Sequence, residues 1–131
     1  MYNRHLIGNP SPEISEFAVP EYVFNPEECV KINPAVGIGV FAAECEKMTL
    51  TIMELKPNLV TDEHSHPHEQ VGYMIEGDAV FIINGEPHSV RAGQMWCLPG
   101  GVPHQVKVGR QGIRVVEVFY PVREDFRGGQ S

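Results

Sequence analysis

The sequence lacks three features that would assign it to a broad class of protein. No apolar run approaches the roughly 20 residues of a membrane-spanning helix, so we expect no membrane partner. The first residues lack the basic and apolar regions of a signal peptide, so we expect a cytoplasmic location. The 10 basic residues are outnumbered by 17 acidic ones, which gives a net charge of -7. Because phosphate groups bind to basic surfaces, this charge disfavours nucleic acid as a partner.

Cysteine is also scarce. The chain has Cys29, Cys45 and Cys97, an odd number without a C-x-x-C pair. This pattern does not fit a disulfide framework, and we expect each thiol to be a small buried apolar side chain. With 131 residues and a hydrophobic fraction of 42%, the chain can bury the core of one domain without cross-links.

No helical periodicity of useful length is present, and strand formers dominate after residue 36. The segment AVFIINGEPHSV is typical of a hairpin, because two strand-like runs flank Asn84-Gly85, which suits a type I′ turn. Turns that contain glycine separate the other runs. Eight or nine short strands at regular spacing predict an all-β sandwich or barrel. The other strand-like runs are GIGVFAAE, KMTLTIMEL, QMWCL, HQVKV and GIRVVEVFY.

The two ends of the chain differ from the middle. Residues 1–36 contain five prolines and no long periodic pattern, so we predict an extended N-terminal arm. Within this arm we expect a short strand near EYVF and a helical turn at PEEC, with Pro26 at its first position. The β domain is predicted to span residues 37–126, and residues 127–131 are predicted to form a disordered tail.

The last strand-like run is mostly apolar on both sides. By the two-residue period of a strand, one face carries residues 113, 115, 117 and 119, and the other face carries the residues between them. Both faces should therefore be covered. We expect the first face to meet the barrel interior and the second to meet the N-terminal arm or a second subunit, which predicts a homodimer.

Half of the six histidines lie in the segment HSHPHEQ. In a strand, His64 and His66 would share one face, because side chains alternate along the chain. His104 follows the turn LPGGVP, in which glycine permits a sharp bend. Converging imidazoles suit one divalent transition metal ion, and iron, manganese, nickel, zinc and copper all accept them. We therefore predict a metal site built from these three histidines.

A fourth ligand is expected from the same segment. Gln70 lies four residues past His66 and would share its face, whereas Glu69 would point away in a regular strand. Pro67 could break that regularity, which keeps Glu69 open as the alternative ligand.

Two segments resemble the motifs of the cupin superfamily. NLVTDEHSHPHEQVGYMIEG is similar to the first motif, G-x5-H-x-H-x3,4-E-x6-G, with Asn58 for the first glycine and Gln70 for the glutamate. GQMWCLPGGVPHQVKV is similar to the second motif, G-x5-P-x-G-x2-H-x3-N, with Val108 for the asparagine. The resemblance covers residues 58–108. It implies a double-stranded β-helix, or jelly-roll barrel, with one metal site inside.

Together with EVFYPVRED, these motifs look most like those of the KdgF family of pectin-degradation proteins. That family opens the ring of 4,5-unsaturated monouronates and carries three histidines and a glutamine on its metal. Its late strand supplies an acid, an aromatic residue and an arginine, although the acid is usually Asp. The resemblance implies His64, His66, Gln70 and His104 as metal ligands and Glu117, Phe119 and Arg123 as catalytic residues.

The chemistry of these side chains suggests their roles. Arg123 would hold the carboxylate of a small-molecule substrate in its planar fork, and its alternative is an ion pair with Glu124 or Asp125. Glu117 would transfer a proton, since burial raises the pKa of a carboxyl group, and its alternative is a bond to a neighbouring Arg or Tyr. Phe119 would pack against the sugar ring or belong to the core.

Three functions are open at this point. The uncharged ligand set favours Lewis-acid chemistry on an anionic substrate. An iron-dependent dioxygenase would instead have an apolar cavity, and a cupin that only binds a small ligand is the third alternative. Beyond the candidate residues, we expect Trp96 in the core and Tyr73 and Met74 in the core or the cavity wall.

Overall fold

The computed structural model describes residues 22–127, so the predictions for residues 1–21 and 128–131 lie outside the described range. This range contains nine strands and two short 3-10 helices, at Pro26–Glu28 and Glu124–Phe126. The strands are β1 (Val30–Ala35), β2 (Ile38–Glu44), β3 (Thr49–Leu55), β4 (Glu69–Glu76), β5 (Asp78–Ile83), β6 (Glu86–Arg91), β7 (Met95–Leu98), β8 (His104–Val108) and β9 (Ile113–Tyr120).

The strands form two antiparallel sheets. The larger sheet has the order β1-β2-β3-β9-β4-β7, and the smaller one has the order β6-β5-β8. Large apolar side chains from both sheets, among them Met74, Phe81 and Trp96, meet in one core between them. The all-β jelly-roll expectation is therefore confirmed. None of the described residues forms a helix long and apolar enough to cross a membrane.

The turn chemistry explains several of the chain reversals. Asn84 and Gly85 have φ values of 50° and 83°, which are those of a type I′ turn, and they join β5 to β6 as predicted. Asn58 also has a positive φ, 63°. Asparagine is one of the few residues that tolerate this conformation, which explains why it can replace a glycine at that position.

The alternation predicted for β9 is confirmed. Its inward side chains are all buried, whereas the outward ones are half-buried or exposed. Val116 and Val118 of the outward face lie beside Tyr73 and Val71 of β4, so this part of the outer face of the larger sheet is apolar. Whether a second subunit covers it stays a prediction.

Inward side chains of β3, β9 and β4 align in four rows across the larger sheet. The alignment follows from the antiparallel register, in which directly opposed residues point to the same face. Polar groups occur in the first two rows, and the last two rows are entirely apolar. The first row is Thr49, Phe119 and Gln70, the second is Thr51, Glu117 and Gly72, the third is Met53, Val115 and Met74, and the fourth is Leu55 and Ile113.

Several expectations about single residues are wrong. Cys97 is exposed, and Cys29 and Cys45 are only half-buried, so none of the cysteines belongs to the core. Cys97 follows the inward Trp96 and therefore points outward, which the two-residue period requires. Tyr73 is 43% exposed because it lies on the outward face of β4. The described part of EYVF, residues 22–24, is not a strand, whereas the helical turn at Pro26 is confirmed.

Candidate metal centre

The three predicted histidines converge at one end of the barrel. One ring nitrogen from each of His64, His66 and His104 lies within 4.8 Å of those of the other two. The expectation that His64 and His66 share a face of a regular strand is wrong, because both precede β4. His64 instead pairs with His104 through two backbone hydrogen bonds of 2.9 and 3.0 Å, and Pro67, which has no amide proton, follows directly after His66.

Each of these imidazoles is oriented by a backbone carbonyl two residues away. A carbonyl oxygen can only accept a hydrogen bond, so the Nδ1 atom that faces it carries the proton. In each neutral ring the Nε2 atom then keeps its lone pair, which is the arrangement found in metal-binding histidines. The bonds join Nδ1 of His64 to Asp62 at 2.9 Å, His66 to His68 at 3.1 Å, and His104 to Val102 at 2.9 Å.

The surroundings favour the neutral rings. Burial lowers the pKa of His104, and burial together with the positive charge of Arg123 lowers the pKa of His66. The Nε2 atom of His104 is buried and finds no hydrogen-bond partner among residues 22–127. A buried lone pair without a donor is costly, and a bound cation would satisfy it. The three histidines can therefore hold one metal ion.

Gln70 lies directly beside the histidines. Its Oε1 atom is 2.9 Å from Nε2 of His66. Because the Nδ1 proton of His66 is donated elsewhere, two acceptors face each other, and a cation bound to both would remove their repulsion. Glu69 is exposed, whereas Gln70 is 7% exposed and points inward. Only the amide is therefore turned towards the histidines.

Glu117 lies behind Gln70 and is tied to it. Its Oε2 atom accepts a hydrogen bond from Nε2 of Gln70 and another, of 2.9 Å, from the indole Nε1 of Trp96. Burial raises the pKa of Glu117, and these two bonds and the charge of Arg123 oppose that rise. The partners are an amide and an indole, not the Arg or Tyr considered from the sequence.

Trp96 was expected only in the core, and the structure shows that it also has a hydrogen-bonding role. The ring is 7% exposed and packs edge-on against Phe81, with ring centroids 4.7 Å apart, while its N–H reaches Glu117. Gly72 is paired with Trp96 across β4 and β7, and a Cβ atom at that glycine would overlap the indole. The signal in the sequence was a glycine inside an otherwise good strand, which often marks a close approach.

Arg123 forms the ion pair with Asp125 that was its alternative, and its role in holding a substrate carboxylate stays a prediction. Its guanidinium donates from Nε and Nη2 to the Asp125 carboxylate at 2.9 and 2.6 Å. It also lines the cavity, with its central carbon 4.8 Å from the centroid of the Phe119 ring and 4.2 Å from that of Phe126. Phe119 itself is 1% exposed and touches His66 edge-on, so it is both core and cavity wall.

A cavity of about 470 Å³ joins these groups. It lies between the two sheets, and its polar lining is concentrated around the three histidines, Gln70 and Glu117. Further polar groups come from Thr61, Asp62, Gln105, Arg123 and Asp125, and the remaining wall is made of aliphatic and aromatic side chains. A volume of this size lies within the range usual for small-molecule sites.

A two-sheet β-barrel with three imidazoles converging on an internal cavity defines a protein built to hold a metal ion or a small ligand. The chain belongs to the cupin domain family, whose family model matches residues 51–119. The expected membership of the cupin superfamily is thereby confirmed.

The relatives of known function differ from one another. The HTH-type transcriptional regulator PuuR of Escherichia coli (strain K12) is 26% identical over 107 residues, which are 78% of this chain and 58% of PuuR. The dimethylsulfoniopropionate lyase DddW of Ruegeria pomeroyi is 33% identical over 72 residues, which are 55% of this chain and 47% of DddW. The chain therefore spans only about half the length of either relative.

Among solved structures, KdgF from Halomonas sp. superimposes with a TM-score of 0.72. The match covers 79% of this chain and 96% of that protein at 22% identity. At this identity the similarity shows the fold alone.

Proposed function

We propose that this cupin is a metal-dependent enzyme that performs non-redox chemistry on a small organic carboxylate. His64, His66, His104 and Gln70 hold one divalent transition metal ion, and availability decides whether it is iron, manganese, nickel, zinc or copper. When bound, the ion supplies Lewis-acid polarisation of a substrate oxygen. The observation that carries the proposal is the Gln70 amide, which has its oxygen at His66 and its nitrogen at Glu117.

The charge of the ligand set supports this chemistry. Three neutral imidazoles and an amide leave the full positive charge of the ion in a site that is partly buried. An anionic substrate is attracted there more strongly than to a site neutralised by a carboxylate ligand. The pairing of Arg123 with Asp125 uses Nε and Nη2, and Nη1 is left to hold the substrate carboxylate.

Glu117 transfers the proton in this proposal. It lines the cavity, it is buried, and burial raises its pKa towards the range useful in a general acid or base. Phe119 lies between Arg123 and His66 and forms the wall against which the substrate packs.

Ring opening of 4,5-unsaturated uronates is the particular reaction that the KdgF resemblance suggests. It is an isomerisation: the anomeric hydroxyl loses its proton and becomes the C1 aldehyde as the ring bond between C1 and O5 breaks, and the resulting enolate takes a proton at C4 and becomes the C5 ketone. One proton is removed and one is added, so a single carboxyl group can serve both steps. The departure from that family is Glu117, whose side chain is one methylene longer than that of Asp. The extra methylene moves the carboxylate by about 1.5 Å, which is enough to alter catalysis. The uronate is therefore the first substrate to assay, and its turnover has to be measured.

The test is metal analysis of the purified protein, followed by assay of unsaturated galacturonate and guluronate.

The Glu117→Gln variant should lower kcat by about 10² to 10⁴, because the amide keeps the shape and cannot transfer the proton. Glu54→Gln on the outward face of β3 is the matched control and should keep full activity. Full turnover in Glu117→Gln would remove the proposed role. Bound metal and bound ligand without turnover would indicate a binding protein, as the relationship to PuuR suggests.

A second candidate is a dioxygenase acting on a small organic molecule. The apolar wall of the cavity favours it, since such an enzyme needs an apolar site with open metal positions. Iron-loaded protein would then consume oxygen in the presence of substrate and would lose activity without air. Turnover that is unchanged under anaerobic conditions would exclude this candidate.

A further inference from the structure

The cavity is polar at one end and apolar at the other. In the larger sheet, Gln70 and Glu117 belong to the first two rows, and only hydrocarbon side chains follow in the third and fourth. The smaller sheet shows the same change from polar to apolar side chains. Along β8, His104 stands opposite Ile83, and the next inward pair is Val106 and Phe81.

The cavity extends along the strands into its apolar end. The second and fourth rows are four residues apart on β9, or about 13 Å at the usual rise of a strand. Leu55, Ile113 and Val106 line the cavity at this end, together with Leu59 and Val60 of the segment between β3 and β4. None of these five side chains can donate or accept a hydrogen bond, and the polar side chains beside them, Thr61 and Gln105, are bonded to backbone groups.

We infer that the carboxylate bound by this site carries an apolar body, an alkyl or aryl group, which occupies the third and fourth rows while its head lies at the histidines. The inference rests on the proposed function and specifies its substrate class. A sugar acid would present several hydroxyl groups to walls that are mostly hydrocarbon, and each buried hydroxyl without a partner weakens binding. An alkyl or aryl group loses no hydrogen bonds there and gains from burial.

The experiment measures the binding of straight-chain carboxylates to the metal-loaded full chain by calorimetry. Affinity should rise about threefold to fourfold for each added methylene from butanoate to octanoate. Hexanoate should bind more tightly than galacturonate, and hexanol should bind more weakly than hexanoate because it lacks the charged head.

Two variants test whether the alkyl chain binds at the apolar end of the cavity. Leu59→Gln places an amide at the apolar end and should flatten the dependence on chain length. Leu50→Gln is the matched control, since Leu50 is equally half-buried but lies on the outward face of β3 and is not part of the cavity wall. Its dependence on chain length should equal that of the unmodified protein.

The outcomes separate this inference from the proposed function. A flat series, or a uronate that binds more tightly than hexanoate, overturns the inference and leaves the proposed function standing. A steep series in which hexanol equals hexanoate, with or without the metal, overturns the proposed function, because the head group then contributes nothing. The series uses the unmodified chain, so this reading does not depend on whether either variant folds.

Discussion

The indole N–H of Trp96 and the Gln70 amide donate to the same carboxylate oxygen of Glu117. The proposed fourth metal ligand, a buried acid and a core aromatic residue are thereby joined in one hydrogen-bonded chain. The two donors hold the carboxylate of Glu117 in place. The carboxylate in turn keeps the amide oxygen of Gln70 directed at His66.

The bond between Trp96 and Glu117 should be measurable as a coupling free energy. Trp96→Phe keeps an aromatic ring against Phe81 and removes the donor, and Glu117→Leu removes the acceptor. We expect a double-mutant cycle of urea unfolding to give a coupling of about 0.5–3 kcal/mol. Strictly additive effects of the two substitutions would show that this bond contributes nothing to stability.

Gly72 should tolerate no larger side chain. Gly72→Ala places a methyl group inside the indole of Trp96, so we expect the free energy of unfolding to fall by about 1–3 kcal/mol. Gly39→Ala in β2 is the control, because its added methyl would have its nearest contact, Asn33, at 3.8 Å. That variant should stay within about 0.5 kcal/mol of the unmodified protein. Equal stability of the two variants would contradict the close approach.

The fourth metal ligand can be assigned by comparing neighbouring residues. Gln70→Ala should weaken metal binding by roughly tenfold or more, measured by competition with a chelating dye. Glu69→Ala should leave the affinity unchanged, because Glu69 is exposed and Gln70 points inward. The reverse result would reassign the ligand to the carboxylate.

Metal binding should stabilise the folded chain. An ion that binds only the native state adds about 2.7 kcal/mol at a free concentration 100 times its Kd. Thermal unfolding with and without the ion should show this gain as a higher Tm. His104→Ala should abolish the gain, whereas His88→Ala, at an exposed position of β6, should retain it. A gain that persists in His104→Ala would place the ion elsewhere.

The ion pair of Arg123 and Asp125 should give a small pH dependence of stability. Hydrogen bonds from Arg123 lower the pKa of Asp125. The stabilisation is therefore complete above the ordinary Asp pKa of about 3.9 and is lost as the pH falls through the lowered value. The Asp125 side chain is 59% exposed, so the effect should stay below about 1 kcal/mol.

Urea unfolding from pH 6 down to the acid limit of folding checks this expectation. The difference in stability between the unmodified protein and Asp125→Asn should shrink as the pH falls. In an Arg123→Gln background the same comparison should show no pH dependence, and a dependence that remains there would assign it to another partner.

Local patterns were sufficient to predict much of the fold. The alternation in β9 and the turn at Asn84-Gly85 depend only on nearby residues, so the sequence contains the information directly. The cysteine error was avoidable in part, because an inward Trp96 forces Cys97 outward. The half-burial of Cys29 and Cys45 depends on what packs over β1 and β2, which no local pattern specifies.

The partners of the candidate site residues could not be predicted in the same way. Glu117 meets Trp96 only because β4 lies between β7 and β9 and carries a glycine where the indole crosses it. That contact requires the strand order and the register together. The loop that carries His64 and His66 is likewise fixed by long-range pairing with His104, 40 residues further along the chain, and not by a strand of its own.

The outward orientation of Cys97 has a practical use. Its thiol stands opposite Val71 on the apolar outer face of the larger sheet, on the side of the strand away from Trp96. A maleimide reagent would therefore reach it in a lone chain and be slowed wherever another surface lies over that sheet. The rate of modification, followed across a dilution series, would report directly on self-association in solution.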